Sequence, residues 1–114
     1  MAKYKNLIVF HKADELAAEI YETTQSFPKT EAYGITSQLR RAALSIPVNI
    51  VEGYARKGKK ELKHFLNISL GSLAETEYLL SFSVKLGYIR NEPDHLYKLI
   101  DETGKTLWGF YRTL

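Results

Sequence analysis

Two Glu-x-x-His words, Glu61-Leu62-Lys63-His64 and Glu92-Pro93-Asp94-His95, are the residues of this chain best suited to holding a metal. On a helix that spacing sets a carboxylate and an imidazole on one face, and two facing pairs can hold two iron ions in a four-helix bundle. Their placement argues against it. Each word opens a helical segment, and consecutive helices of an antiparallel bundle start at opposite ends, roughly 40 Å apart for a helix of about 27 residues. Leu62, Phe65 and Leu66 also claim the inward face, which turns Glu61 to solvent. The third histidine, His11, has no such partner. With no cysteine, disulfides, thiolate zinc sites and cysteine nucleophiles are excluded. No serine sits in a strand-turn-helix elbow, and Gly53, Gly58 and Gly71 do not fit a phosphate-binding loop. The expectation is a protein with no metal, no cofactor and no catalytic residues.

The chemistry that the chain does concentrate is positive charge. Residues 40–63 hold seven basic groups (Arg40, Arg41, Arg56, Lys57, Lys59, Lys60 and Lys63) against Glu52 and Glu61, whereas the whole chain carries only +3. One basic segment on a slightly acidic body points to an anionic partner such as RNA or DNA. Lysine offers point charges and arginine forked donors to phosphate, which give affinity without sequence specificity. A solvated basic turn between two helices is the alternative. Just upstream, Arg41, Ser45, Asn49, Glu52 and Arg56 recur at helical spacing as a polar stripe. It reads as a solvated face, as a seam between subunits or as part of a nucleic-acid surface. The candidate subunit interface comprises Ser45, Pro47, Asn49 and Glu52 with Ser69 and Ser72, small residues that permit close helix approach.

Four amphipathic segments must position these groups. Phe10, Ala13, Leu16, Ala17, Ile20, Tyr21 and Thr24 form one apolar face and predict a helix over about 5–26, with Asn6 as a candidate cap and Phe27-Pro28 as the stop. A second helix is expected over about 30–57, with Glu31 near its positive end and a core stripe of Ile35, Leu39, Ala42, Ala43, Ile46 and Ile50. Pro47 falls inside that stripe, yet the pattern resumes in phase at Ile50, Val51 and Tyr54. This reads as one kinked helix, with a break at Ile46 as the alternative; Asn49 could bond carbonyls exposed at the kink.

A third helix over about 59–86 carries Leu62, Phe65, Leu66, Ser69, Leu70, Leu73, Thr76, Leu80 and Val84 on one broad face. Further apolar residues, Ile68, Leu79, Phe82 and Leu86, widen it enough to suggest a central position or a partner outside the chain. Gly87 stands where a left-handed helix end belongs. A fourth helix over about 93–113 follows with Leu96, Leu99, Ile100, Thr103, Leu107, Phe110 and Tyr111 in phase, and Trp108 off that line. No segment alternates with period two. The expected fold is all-α: an antiparallel up-down-up-down four-helix bundle, one domain over 1–114.

At 114 residues the chain can bury a real core but lies near the size where association helps. The short apolar run Leu7–Phe10 suits neither a signal peptide nor a membrane span, so a cytoplasmic protein without membrane contact is expected.

Taken as a set, these words resemble a known family. Tyr33-Gly34-Ile35-Thr36-Ser37-Gln38-Leu39-Arg40-Arg41-Ala42-Ala43, then Ser45-Ile46-Pro47-Val48-Asn49-Ile50 and Glu52-Gly53-Tyr54, closely resemble the four-helix bundle proteins encoded in 23S rRNA intervening sequences. Phe27-Pro28, Phe65-Leu66, Gly71-Ser72-Leu73-Ala74-Glu75 and Leu86-Gly87-Tyr88-Ile89 extend the match over nearly the whole chain; Val51 departs from the family's usual alanine. The resemblance implies a homopentamer of up-down-up-down bundles. It also implies kinship with the accessory variability determinant of diversity-generating retroelements, a basic pentamer that binds nucleic acid and a reverse transcriptase. The family defines no catalytic residues. Two functions follow as expectations: a non-enzymatic oligomer binding RNA or DNA through its basic corner, or a protein-interaction scaffold whose basic block only solubilises it.

Overall fold

Ile35, Leu39, Ala42, Ala43, Ile46 and Ile50 share one helical stripe, and all six are buried along a single uninterrupted helix. The structure is a computed structural model that describes Tyr4 and residues 7–114. Four α-helices form it: α1 (Ile8–Thr23), α2 (Ile35–Ala55), α3 (Lys59–Lys85) and α4 (Asp94–Arg112). Packing runs α1 on α2, α2 on α3, α3 on α4 and α4 back on α1, the neighbour pattern of an up-down-up-down bundle. The bundle measures 43 × 25 × 20 Å. Leu16, Ile20, Leu39, Ile46, Ile50, Leu66, Leu80 and Leu107 are sealed inside it. Among the described residues no helix is long and apolar enough to cross a membrane.

Within α1, Val9 takes the core position expected of Phe10, which is only half-buried, and Tyr21 is exposed. The proposed Asn6 cap and the helix start at residue 5 lie outside the described residues. The α-helix ends at Thr23 and tightens into a single 3₁₀ turn over Thr24–Ser26 before Phe27-Pro28. Its last carbonyls are covered from two sides. The Thr24 hydroxyl donates to the Ile20 carbonyl at 2.8 Å, and the Arg40 guanidinium donates to Thr24 Oγ1 at 2.7 Å and to the Tyr21 carbonyl at 3.2 Å.

The second helix starts later than its apolar pattern suggests. Residues 29–31 form a 3₁₀ turn, and α2 begins at Ile35 behind Gly34. Glu31 acts across that gap. Its carboxylate accepts the Ile35 N–H at 3.2 Å and the Tyr88 hydroxyl at 2.7 Å, tying the start of α2 to the connection between α3 and α4. These two donors, the Tyr88 hydroxyl foremost, hold the Glu31 carboxyl below the usual glutamate range; the same bond pushes the Tyr88 hydroxyl up. A side chain on Gly34 would collide with that carboxylate.

Pro47 does not break α2, which is continuous from Ile35 to Ala55. Proline removes one N–H from the helical ladder, and side chains bond the carbonyls around it. Asn49 Nδ2 donates to the Ser45 carbonyl at 2.8 Å and Ser69 Oγ to the Ile46 carbonyl at 2.9 Å. Where α2 meets the start of α3, the close approach is at Gly53. A Cβ there would lie 2.9 Å from Leu62 Cδ1 and 3.1 Å from Phe65 Cβ. Gly71 has open space around it and permits no such approach within the chain.

The expected left-handed end of α3 is present. Gly87 has φ 79°, its N–H reaches the Val84 carbonyl at 3.0 Å, and the Tyr88 N–H reaches the Ser83 carbonyl at 3.0 Å. This pair of bonds is a Schellman motif. Tyr88 then packs on Phe27, with ring centres 5.5 Å apart.

Candidate functional site

The antiparallel order brings the last turn of α2, the first turns of α3 and the last turns of α4 to one end of the bundle. Aromatic contacts fix that end. Tyr54 of α2 stacks on Phe110 of α4 at 6.1 Å between ring centres, and the Arg56 guanidinium lies 5.1 Å from the Phe65 ring of α3. Lys63 Nζ sits 5.1 Å from the Tyr111 ring. The turn between α2 and α3 passes through Gly58 at φ 90°, a conformation glycine adopts at little cost, and it sets Lys57, Lys59 and Lys60 on the exposed rim. Arg56, Lys57, Lys59, Lys60 and Lys63 therefore share one bundle end, joined from α4 by Arg112.

Two of the seven predicted basic residues do not belong to it. Arg40 lies sixteen residues before Arg56 on nearly continuous helix, about 24 Å away at 1.5 Å per residue. Its guanidinium is spent inside the chain on Thr24 and Tyr21, and it lies 4.8 Å from the Tyr21 ring centre. Arg40 closes the end of α1, with two of its five donors engaged there. Arg41 is exposed but sits at that same far part of α2. Sequence adjacency grouped them with the corner; helical rise separates them.

The polar stripe on α2 divides too. Asn49 Nδ2 donates to Ser45 Oγ at 2.9 Å, and the Ser72 hydroxyl donates to Ser45 Oγ at 2.8 Å. Ser69 is fully buried and bonds the Ile46 carbonyl, and Pro47 is buried as well. Ser45, Asn49, Ser69 and Ser72 thus form a seam between α2 and α3 within the chain. As candidates for contact with a neighbour, Ser69 and Ser72 are corrected by their burial. Glu52 stays on the surface, paired with Arg56 at 3.1 Å.

His95 does not pair with Glu92 of its own word. Its Nε2 lies 3.0 Å from Glu19 Oε2, clasping α4 to α1, and Glu15 completes a trio whose ligand atoms fall within 4.8 Å of one another. The trio is mostly exposed. It borders an open cleft of about 790 Å³ between the end of α1 and the connection from α3 to α4, at the bundle end opposite the basic rim. Ser26, on that cleft, donates its hydroxyl to the Thr23 carbonyl at 3.3 Å. Tyr88, also on the cleft, donates its hydroxyl to the Glu31 carboxylate at 2.7 Å, the bond that ties the start of α2 to this end.

Sequence reasoning missed two features of the basic end. Trp108 stacks on Tyr111 with ring centres 5.3 Å apart and planes 12° apart, and the Arg112 guanidinium lies 6.0 Å from the indole. The i, i+3, i+4 spacing of Trp108, Tyr111 and Arg112 was the available signal. The second feature is an apolar groove between α1 and α2, about 390 Å³, lined by Phe10, Leu44, Pro47, Val48 and Val51. Leu44 and Val48 stand in solvent there.

A family model described as 23S rRNA-intervening sequence protein matches residues 5–109. The chain belongs to this family. Its bundle is similar to the crystal structure of a protein with unknown function from the S23 ribosomal protein family of Bacteroides thetaiotaomicron. That similarity has a TM-score of 0.83 at 25% identity, covering 92% of this chain and 96% of the other. No curated protein matches the chain.

Proposed function

We propose that this 23S rRNA-intervening sequence protein is a non-enzymatic, cytoplasmic subunit of a homo-oligomer, a pentamer, that binds the backbone of RNA or DNA through its basic end. The observation that carries the reading is the convergence of Arg56, Lys57, Lys59, Lys60, Lys63 and Arg112 on one end, where they outnumber Glu52, Glu61 and the neighbouring Asp14 of α1 among the described residues. Such a cluster neutralises phosphates and releases their counterions, so affinity falls steeply with salt. Assembly would repeat the weak patch and strengthen it through avidity. The kinship with the accessory variability determinant of diversity-generating retroelements belongs to this same proposal.

A ring closed by rotation joins two different surfaces of each subunit. Two exposed apolar surfaces support that arrangement: the groove with Leu44 and Val48, and the outer face of α3 with Ile68, Tyr78 and Phe82. Light scattering that finds a stable monomer at micromolar concentration refutes the oligomer.

Fluorescence anisotropy with a structured RNA at low and moderate salt tests the binding. Replacing Lys57, Lys59 and Lys60 with glutamate abolishes it if the reading is correct. No binding at low salt, or binding indifferent to those replacements, sinks it. The same apolar groove favours the second reading, a protein-interaction scaffold without nucleic-acid binding. A nuclease-resistant pull-down recovering a single protein partner would support that alternative.

A further inference from the structure

We infer that the basic end is built for unpaired nucleic acid, with Trp108 as the platform on which a base stacks. The inference rests on the nucleic-acid reading and adds the class of ligand. Phosphate contacts alone need only cations, and the lysines of the α2–α3 turn supply them. The aromatic groups beside them are a separate device. Lys63, Tyr111, Trp108 and Arg112 follow one another in contact, with successive separations of 5.1, 5.3 and 6.0 Å between cation and ring, ring and ring, and ring and cation. The indole is 48% exposed although it has the largest apolar surface of any side chain.

A base joining this column would take the side of the indole that Arg112 now borders at 6.0 Å, displacing the guanidinium toward the strand's phosphates. Single-stranded nucleic acid is held by that combination, in which every base can take part because every base has a face. In a duplex the faces are already stacked on neighbouring pairs, and the indole would have nothing to receive. The surroundings also set a direction. Beyond Trp108, away from the basic end, the surface between α3 and α4 carries Glu77 and Asp101, which repel phosphates; Asp101 is only partly offset by Lys105, 3.1 Å away. The strand therefore leaves Trp108 toward Lys63 and the α2–α3 turn.

Trp108 is the only tryptophan, so its emission reports this contact alone. Titration of the assembled protein with a labelled 20-nucleotide oligo(U), and with a duplex of equal length, tests the inference. Oligo(U) is expected to quench Trp108 emission and the duplex to leave it unchanged. By anisotropy, Trp108→Leu is expected to lower oligo(U) affinity about 5- to 150-fold, the range for one stacked base, with duplex affinity unaltered. Trp108→Phe, which keeps a smaller ring, should recover part of the loss, and unchanged circular dichroism would show that neither variant is unfolded. Full oligo(U) affinity in Trp108→Leu, while the Lys57, Lys59 and Lys60 charge reversal still abolishes binding, overturns the stacking inference and leaves the proposed function standing. Equal losses on oligo(U) and duplex also overturn it, as does dissociation of the oligomer in Trp108→Leu, which would make the indole a subunit contact. No binding of either ligand by the unaltered protein removes the proposed function itself.

Discussion

Two glycines in helices should respond in opposite directions to the same substitution. Replacing a helical glycine with alanine removes backbone freedom from the unfolded chain and stabilises by about 0.5–1 kcal/mol when the new methyl meets nothing. Gly71, in the middle of α3 and open to solvent, is such a site. Gly53 is not. Its methyl would lie 2.9 Å from Leu62 Cδ1 and 3.1 Å from Phe65 Cβ. The leucine terminus can rotate away, but the Phe65 Cβ is fixed to the α3 backbone, so the helices must part by a few tenths of an ångström.

Overpacking of this kind costs about 1–3 kcal/mol. Gly53 also lies two residues from the end of α2, where the propensity gain is smaller. The expected net effect of Gly53→Ala is a loss of about 0.5–2 kcal/mol, or a fall in Tm of roughly 2–8 °C for a domain of this size. Gly71→Ala should raise Tm by roughly 2–4 °C in the single chain, where the α3 face it shares with Ile68, Tyr78 and Phe82 is uncovered. Both are read by thermal circular dichroism at one fixed protein concentration, because the proposed assembly would make Tm depend on concentration. A rise in Gly53→Ala equal to that in Gly71→Ala would refute the close contact between α2 and α3 at the edge of the candidate site.

Arg40 and the lysine turn should separate by assay. Arg40→Ala removes the two donors closing α1 and should cost about 1–2 kcal/mol of stability while leaving RNA affinity within about twofold; a large affinity loss at full stability would return Arg40 to the interface. The Glu31 clasp should appear in acid. Its folded-state carboxyl is held below its unfolded value, so its contribution is fully present above about pH 4.3 and is lost as pH falls through the depressed value. Glu31→Gln should therefore flatten the acid limb of a stability–pH curve below about pH 4.3, and an unchanged limb would show that the clasp contributes nothing.

How much of this was legible in the sequence depended on the range of the interactions involved. The core stripe of α2 was readable because period and burial are the same property, and Gly87 because its helix end needs a positive φ. The start of α2 was not, since Glu31 meets the Ile35 N–H across Gly34 while its other oxygen bonds Tyr88, 57 residues away. The polar stripe was legible as a stripe, but what meets it was not. Periodicity shows that Ser45 and Asn49 share a face, but only packing shows that α3 of the same chain supplies Ser72 to meet them.

The basic cluster failed and succeeded for the same geometric reason. Seven cations within 24 residues look like one patch, yet α2 carries Arg40 and Arg56 about 24 Å apart while the bundle folds Arg112, distant in sequence, back to the end that carries Lys63. Helical rise disperses charges that are close in sequence, and antiparallel return gathers those that are not. The bundle end thereby acquires what no single helix could present: cations from the turn between α2 and α3, and from α4 an indole resting on a tyrosine that Lys63 of α3 already covers. A solubilising turn requires only the first. The second adds an exposed flat face beside those cations, and the stacking inference rests on that face.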